Sequence, residues 1–314
     1  MKIIDFQAIK ELSIPYSQCV KWVEEALKIK KESQLPAKIS LKLEKNIFFN
    51  TMPCYIPSLN KIGVKLVSRY PERIPSLISD LLLIDSDTGH LTAMMNADWI
   101  TAMRTGAVAA LTISTLQSVK EGVYSFVGLG NTARATLLCL LSIQPEINHH
   151  IRLLSYKKQE ENFIERFKDY KNLSFEIVET NDELINDADV VVSCVTAYDK
   201  IFAGDELFKK GVLIVPVHTR GFQNCDLFFD KIYGDDYEHI KDFKYFNQFK
   251  YFAEFSDIIL GIVDGRTNKY ERIIAYNIGI ALHDVYFASM LYEFLKDNDF
   301  CKINIEHPYE KYWI

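Results

Sequence analysis

The amino-acid sequence predicts an α/β protein with a Rossmann doubly wound parallel sheet and a second, α+β domain. From about residue 118 to residue 271, short buried strands alternate with helical segments, and this alternation is typical of a parallel sheet covered by helices on both faces. Residues 1–117 combine a helix with strands and a hairpin, which indicates a separate unit. A long apolar helix near the C-terminus can return to that unit. We therefore assign residues 1–117 and 272–314 to the α+β domain and residues 118–271 to the Rossmann domain.

The elements of the α+β domain are predicted from hydrophobic periodicity. They are a helix within 15–35, strands within 38–70, a hairpin over 81–95 and a helix over about 98–117. In the strand region, a proline-bounded turn is predicted at Met52-Pro53. On a following strand, Val64 and Leu66 are expected to face the core, so that Lys65 points the other way, into solvent or into a binding site.

A glycine-rich turn follows the first strand of the predicted Rossmann domain. Residues 123–127 form the strand, Gly128 and Gly130 form the turn, and a helix begins near Asn131. The first glycine permits a sharp turn, the second lets the backbone approach a pyrophosphate, and the small Ala133 allows close packing. The helix N-terminus offers N–H groups and positive partial charge to phosphates. The turn therefore predicts a nicotinamide dinucleotide site, and the alternative is a plain strand–helix turn.

Downstream of this turn, further elements complete the predicted sheet. They are strands at 151–155, 175–178, 187–196 and 211–217, a helix over 158–170, a packing helix or lid over 233–255, and the long helix over about 272–295.

The composition excludes several classes of protein. The chain has 314 residues and a net charge of −6, and no basic stripe could meet the phosphates of a nucleic acid. No apolar run reaches the ~20 residues that a membrane span needs, and the N-terminus lacks a signal peptide, so we expect a cytoplasmic protein. The six cysteines are scattered without metal-ligand spacing, so we expect no metal site and expect the cysteines to act as small apolar residues.

Arg104 is surrounded by small and apolar residues on its predicted helix. A buried guanidinium needs a partner because its desolvation costs several kcal/mol. Gly106 and Ala107 leave room for a ligand or another element to approach. Because arginine binds carboxylates through two parallel hydrogen bonds, the pattern allows either a clamp for a substrate carboxylate or an internal salt bridge.

The second predicted Rossmann strand ends with Ser155-Tyr156-Lys157-Lys158. An NAD-binding domain usually has an acidic residue here, which binds the ribose hydroxyls. This chain has a hydroxyl and two lysines instead, and these suit a 2′-phosphate. The pattern favours NADP(H) over NAD(H), unless the lysines simply form a solvated turn.

Four short segments have a distinctive order and spacing. They are Gly63-Val-Lys65-Leu-Val67, Thr101-Ala-Met-Arg104-Thr-Gly-Ala, Gly128-Leu-Gly130-Asn-Thr-Ala133 and Asn277-Ile-Gly279-Ile-Ala-Leu-His-Asp284. Together they resemble the ornithine cyclodeaminase/μ-crystallin family over nearly the whole chain. The resemblance implies a homodimer whose α+β domain binds substrate and forms the dimer. It also implies that Lys65 and Arg104 bind the carboxylate of an amino-acid substrate, and Lys38 lies near the position of a further carboxylate-binding residue.

Two positions depart from the pattern of that family. Asn50 stands where the cyclodeaminases carry a glutamate, and Arg220 stands where the family has the aspartate credited with cyclodeaminase catalysis. Arginine stays protonated and cannot easily act as a general base, whereas His218 titrates near neutrality and could do so. Alternatively, Arg220 binds a second carboxylate on a larger substrate.

The sequence therefore predicts an NAD(P)(H)-dependent enzyme that transfers a hydride at the α-carbon of an amino acid or its imine, as an imine reductase or amino-acid dehydrogenase. The predicted catalytic and substrate-binding residues are Lys65, Arg104, His218, Arg220, Lys38 and Asn50. The predicted cofactor-binding residues are Gly128, Gly130, Asn131, Thr132, Ala133, Ser155, Lys157 and Thr196. The alternatives are an ornithine cyclodeaminase, which converts ornithine to proline and ammonia with catalytic NAD⁺, and a non-catalytic NADPH-binding protein of the crystallin type.

Overall fold

The computed structural model describes residues 1–195, 198, 200–217 and 221–313. In chain order its strands and α-helices are β1 (Lys2–Ile4), α1 (Phe6–Glu11), α2 (Tyr16–Lys28), β2 (Ile39–Lys42), β3 (Phe48–Ile56), β4 (Lys61–Arg69), β5 (Leu77–Asp85), β6 (Leu91–Asn96), α3 (Asp98–Leu116), β7 (Val123–Val127), α4 (Asn131–Ile143), β8 (His149–Leu154), α5 (Gln159–Arg166), β9 (Leu173–Val178), α6 (Asn181–Ile185), β10 (Val190–Ser193), β11 (Leu213–Pro216), β12 (Lys231–Gly234), α7 (Tyr237–Ile240), β13 (Phe252–Glu254), α8 (Phe255–Ile259), β14 (Ile273–Tyr276) and α9 (Ala281–Leu295).

These elements form two compact units. The six-stranded unit comprises Met1–Ser13, Lys31–Thr101 and Ala281–Ile314, and the eight-stranded unit comprises Ile14–Lys30 and Ala102–Ile280. The boundaries differ from those expected from the sequence, because residues 14–30, 102–117 and 272–280 belong to the eight-stranded unit. No helix among the described residues is both long and apolar enough to cross a membrane.

The six-stranded unit contains one mixed sheet with the strand order β1-β6-β5-β4-β3-β2. Its neighbouring strands are antiparallel except β1 and β6, which are parallel. The hairpin predicted over 81–95 is present as β5 and β6. Helix α9 packs on β3, β4 and β5. Gly63 of β4 permits this packing, because a side chain at this position would collide with Val285 of α9.

The eight-stranded unit contains a sheet with the order β13-β12-β14-β11-β10-β7-β8-β9. All its strand pairs are parallel, which confirms the predicted Rossmann-type α/β fold. Strands buried on both faces read as continuous apolar runs, and every residue of β10 and β11 is buried. Apolar side chains of this core include Val191, Ile214, Phe229, Ile232 and Ile274.

The turn predicted at Met52-Pro53 is wrong, because Pro53 lies inside the continuous strand β3, paired with Val64 of β4. Proline lacks an N–H and is tolerated where the strand edge needs no donor. The N–H of Tyr55, two residues further on, bonds to Gln34 rather than to β4. The nitrogen of Pro53 faces that same side, so the ladder with β4 loses no hydrogen bond.

Two helical predictions in the second half of the chain are also wrong. Residues 233–255 contain strand residues of β12 and β13, the short helix α7 and a 3₁₀ turn at Phe246–Gln248. They do not form the packing helix that was one of the two expectations for this segment. The long helix expected over 272–295 begins only at Ala281, and Ile273–Tyr276 form strand β14. Gly279 has a φ of +83°, a left-handed conformation that interrupts a right-handed helix and separates the strand from α9.

A buried acid lies in the core of the eight-stranded unit. Asp226 is 1% exposed, and the Tyr276 hydroxyl donates a hydrogen bond to its Oδ1 at 2.7 Å. Burial raises the pKa of Asp226 to about 7, although the hydrogen bond from Tyr276 opposes the shift. The folded state therefore holds this proton more tightly than the unfolded chain. Stability is lost as the pH rises from the ordinary pKa of Asp226, near 3.8, to about 7.

We expect Asp226→Asn to raise the melting temperature relative to the wild type by an amount that grows as the pH rises from about 3.8 to about 7. Asparagine keeps an acceptor oxygen for Tyr276 but carries no charge. The substitution therefore removes the destabilisation of the fold, roughly 1–4 kcal/mol at high pH, that burial of the ionised carboxylate causes. Thermal denaturation over a pH series measures the difference. Asp242→Asn, at an exposed position, controls for the loss of one negative charge. A difference that does not change with pH would contradict the prediction.

Candidate functional site

The glycine turn of the eight-stranded unit has the conformation that its sequence predicts. Strand β7 ends at Val127, and Gly128 follows with a φ of +80°. A Cβ at Gly128 would lie 2.6 Å from the backbone of Cys194 and Val195. Only glycine therefore fits at this position, because both the positive φ and the close backbone exclude a side chain.

The N-terminus of α4 leaves room for an anion. Gly130 is the N-cap residue of α4, and a Cβ built there meets no atom within 4 Å among the described residues. Gly130 has no side chain to cap the first N–H groups of the helix, which begins with Asn131 and Thr132. Such groups bind phosphate oxygens well. The open space and the helix N-terminus thus fit the pyrophosphate of a dinucleotide.

Close helix packing supports this turn from behind. Ala133 of α4 is fully buried, as a Rossmann turn requires. Gly106 of α3 packs against the same helix, because a Cβ there would lie 2.5 Å from the backbone carbon of Ala135. The small residue at 106 therefore accommodates α4, which is one of the two alternatives that the sequence left open.

The end of the second Rossmann strand contains a carboxylate that sequence reasoning missed. Glu160, in the first turn of α5, accepts hydrogen bonds from the Tyr156 N–H at 3.0 Å and from the Ser155 hydroxyl at 3.3 Å. These bonds, the one from the Tyr156 N–H first, lower the pKa of Glu160. Lys157 and Lys158 both have positive φ angles, +52° and +60°. The left-handed turn formed by Lys157 and Lys158 brings the carboxylate of Glu160 back to the end of the strand.

Three of the predicted site residues lie outside the described residues. They are Thr196, His218 and Arg220. Their roles stay predictions.

Arg104 lies on α3 in the eight-stranded unit and is 6% exposed. Its guanidinium packs against Gly279, where a Cβ would lie 2.7 Å from Nη1 and 3.1 Å from Nη2. The buried carboxylate of Asp235 accepts a hydrogen bond from the Gly279 N–H at 2.6 Å. Burial raises the pKa of Asp235, against the opposing effects of the Gly279 N–H and the charge of Arg104. The structure therefore brings Arg104 and Asp235 to the same glycine.

Lys65 lies on the buried face of the sheet in the six-stranded unit. Its side chain is 1% exposed, and its Nζ lies 2.7 Å from Oδ2 of Asp284, which is fully buried on α9. The expectation that Val64 and Leu66 face the core while Lys65 points away is therefore wrong. Helix α9 covers the face of Lys65 and supplies the charge that makes its burial tolerable. Asp284 was not singled out from the sequence, because it is distant from Lys65 along the chain.

Other side chains lie near this ion pair or at the edge of the same sheet. Burial and the charge of Asp284 raise the pKa of the Cys54 thiol to about 12, so Cys54 remains neutral and acts as a small apolar residue. Asn50 lies on the same face of the sheet as Lys65. Its cross-strand partner is Val67, which lies two residues from Lys65 on β4 and therefore faces the same side. Its buried Oδ1 has no hydrogen-bond partner among the described residues. Lys38 immediately precedes β2 and is partly exposed.

One protein-family model matches nearly the whole chain. The model of the Ornithine cyclodeaminase/mu-crystallin family matches residues 2–299. The chain belongs to the ornithine cyclodeaminase/mu-crystallin family.

Proteins of several kinds are similar to this chain. The nodulation efficiency protein NfeD of Rhizobium meliloti is 27% identical and aligns over 82% of this chain and 83% of its own length. An alanine dehydrogenase of Archaeoglobus fulgidus is 25% identical over 90% of this chain and 92% of its own. The structure of Thermococcus litoralis Δ(1)-pyrroline-2-carboxylate reductase in complex with NADH and L-proline matches with a TM-score of 0.84 and 22% identity, covering 96% of this chain and 100% of that one. This likeness confirms the fold.

Proposed function

We propose that this protein is an NAD(P)(H)-dependent oxidoreductase that acts on the C–N bond at the α-carbon of an amino acid or its cyclic imine. It works as an imine reductase or an amino-acid dehydrogenase. The observation that carries the proposal is the occurrence of two buried cations, Lys65 and Arg104, in a chain that also has an open dinucleotide-type turn. The names of two relatives, an alanine dehydrogenase and a pyrroline-2-carboxylate reductase, support the same reaction class.

The cofactor is held by the glycine turn and the start of α4. Backbone N–H groups of Asn131, Thr132 and Ala133 would bind the pyrophosphate, and Gly128 and Gly130 would give it access. A reduced nicotinamide held by these residues would supply the hydride for the reduction of an imine carbon to an amine carbon.

The adenosine end of the cofactor would contact Ser155 and Lys157, and Thr196, which comes after β10 in the sequence, would be a further cofactor contact. Lysines and a hydroxyl favour the 2′-phosphate of NADPH, whereas the carboxylate of Glu160 is already engaged with Tyr156 and Ser155. NADPH is therefore the preferred of the two cofactors in this proposal.

The substrate is bound through its α-carboxylate by Lys65 and Arg104, with Lys38 and Asn50 as further contacts. Arginine and lysine both bind carboxylates strongly when buried. His218 donates or accepts the proton at the imine nitrogen. Arg220 contacts a second anionic group, so a substrate with two carboxylates is the favoured class of larger substrate. The active protein is a homodimer.

Two alternatives are less well supported. An ornithine cyclodeaminase needs a base where this chain has Arg220 and a carboxylate where it has Asn50. A non-catalytic binder of NADPH has no need for a lysine and an arginine that are buried at high energetic cost.

The test is the absorbance of the reduced nicotinamide band with purified protein, NADPH or NADH, and pyrroline-2-carboxylate. We expect the band to disappear faster with NADPH than with NADH, because of the lysines at 157 and 158. Imines that carry a second carboxylate should be tested in parallel, since Arg220 predicts a lower KM for them. No loss of the band with any imine or either cofactor, together with ammonia release from ornithine and NAD⁺, would contradict the proposal and favour the cyclodeaminase.

A further inference from the structure

Two adjacent carboxylates at the end of β12 have different partners. Asp236 accepts hydrogen bonds from Lys30 at 2.9 Å and from His239 at 2.8 Å. Asp235 instead accepts from the Gly279 N–H at 2.6 Å and from the Asn277 side-chain amide at 3.3 Å. Successive side chains along a strand point to opposite sides. The two carboxylates therefore reach different sets of partners.

The Asp236 side of this strand end is rigidly held. Lys30 also contacts Glu254 at 2.6 Å, and Glu254 accepts a hydrogen bond from the Tyr237 N–H at 2.7 Å. Burial raises the pKa of Asp236, but the hydrogen bonds from His239 and Lys30 outweigh it and bring the pKa down to about 2. The groups that engage Asp236 therefore differ from the partners of Asp235.

The Asp235 side leads directly to Arg104. Asp235 accepts hydrogen bonds from Asn277 and Gly279. Gly279 packs against the Arg104 guanidinium, because a Cβ there would be 2.7 Å from Nη1. The φ of +83° at Gly279 already excludes most other residues. The contact with Arg104 adds a second reason for glycine here, because any side chain would displace the guanidinium.

We propose that Asp235 is a positioning residue for Arg104: it holds the 277–279 turn against the guanidinium and keeps a buried negative charge on that side. The guanidinium then keeps one orientation when the substrate carboxylate binds. Preorganisation of this kind lowers the entropy that binding must otherwise remove. The inference rests on the proposed role of Arg104 as a carboxylate contact.

The first test measures KM, kcat and cofactor dissociation for Asp235→Asn in the full chain with pyrroline-2-carboxylate. We expect KM to rise about tenfold, with a smaller change in kcat and no change in NAD(P)H dissociation. Asp236→Asn is the matched control. It also removes a buried carboxylate charge, but on the side of Lys30 and His239, so its KM should change much less. Equal effects of the two variants on KM would overturn the proposal.

A second variant reaches Arg104 without changing any charge. Gly279→Ala places a methyl group against the guanidinium and should raise KM in the same way as Asp235→Asn. Gly261→Ala is its control, because Gly261 also has a positive φ, +68°, but a Cβ there meets no described atom within 4 Å. If Asp235→Asn fails to fold, this glycine pair still decides the question. Equal KM values for the two alanine variants would overturn the proposal.

A double variant separates this inference from the proposed function. If Asp235 acts only through Arg104, then Asp235→Asn should add nothing to the KM of Arg104→Ala. Independent, multiplicative effects would overturn the positioning role and leave the carboxylate contact intact. An unchanged KM and an unchanged affinity for proline in Arg104→Ala alone would remove the proposed role of Arg104 itself, and the inference with it.

Discussion

Arg104→Ala is expected to lower kcat/KM for the imino acid by ~30- to 1000-fold, which corresponds to about 2–4 kcal/mol. The loss should appear in both KM and kcat, because a carboxylate without its clamp binds weakly and is poorly oriented at the reacting carbon. The NAD(P)H dissociation constant should stay unchanged, since none of the proposed cofactor contacts lies on α3. Steady-state kinetics and quenching of NAD(P)H fluorescence measure the two quantities independently.

Arg104→Lys is the matched control for this substitution. It keeps the positive charge but loses the planar fork that binds both carboxylate oxygens, so we expect an intermediate loss. Melting temperatures of both variants are needed, because Arg104 is 6% exposed and its charge favours the ionised form of the buried Asp235. A folded Arg104→Ala variant with wild-type turnover would show that Arg104 serves only the fold.

Local features of this protein were predictable from the sequence. The turn at Gly128 and Gly130 depends on backbone conformations within a few residues, and the glycines themselves report those conformations. The burial of Arg104 was predictable as well, because its neighbours on one helix are small or apolar. The open space at Gly130 and the close approach at Gly106 then follow from the same residues in the folded chain.

Features that depend on distant parts of the chain were not predictable. The alternation around Lys65 gives two opposite faces, and nothing local says which of them α9 covers. Its partner Asp284 lies on that helix, far along the chain. The apolar run Ile273–Tyr276 fits a helix as well as a buried strand, and only its place between β12 and β11 decides the matter.

Partners of polar residues were missed for the same reason. Glu160 follows the strand end by several residues, and the left-handed turn at Lys157 and Lys158 brings it back. Such a turn is uncommon for residues other than glycine, so the sequence gives no signal for it. Asp235 is connected to Arg104 through Gly279, which lies far from both residues along the chain.

Lys65→Met is expected to lower both stability and substrate affinity, and a second substitution at Asp284 should recover only the stability. The two charges lie 2.7 Å apart, and the side chains are 1% and 0% exposed. Removing one charge of such a pair costs about 3–5 kcal/mol, because the other charge stays buried and loses the ion that lies against it. Methionine keeps the length of lysine, and asparagine keeps the shape of aspartate. The double variant Lys65→Met/Asp284→Asn should therefore melt at a higher temperature than Lys65→Met alone.

Activity then separates the two roles of Lys65. If Lys65 binds the substrate carboxylate, the double variant should keep a KM raised by about tenfold or more although its fold is restored. Asp284→Asn alone retains the lysine and should have a lower KM than either variant that lacks it. A double variant with wild-type KM would show that the ion pair is a structural feature only. The double variant is predicted to regain stability while its KM stays raised, so a general loss of folding cannot produce the expected pattern.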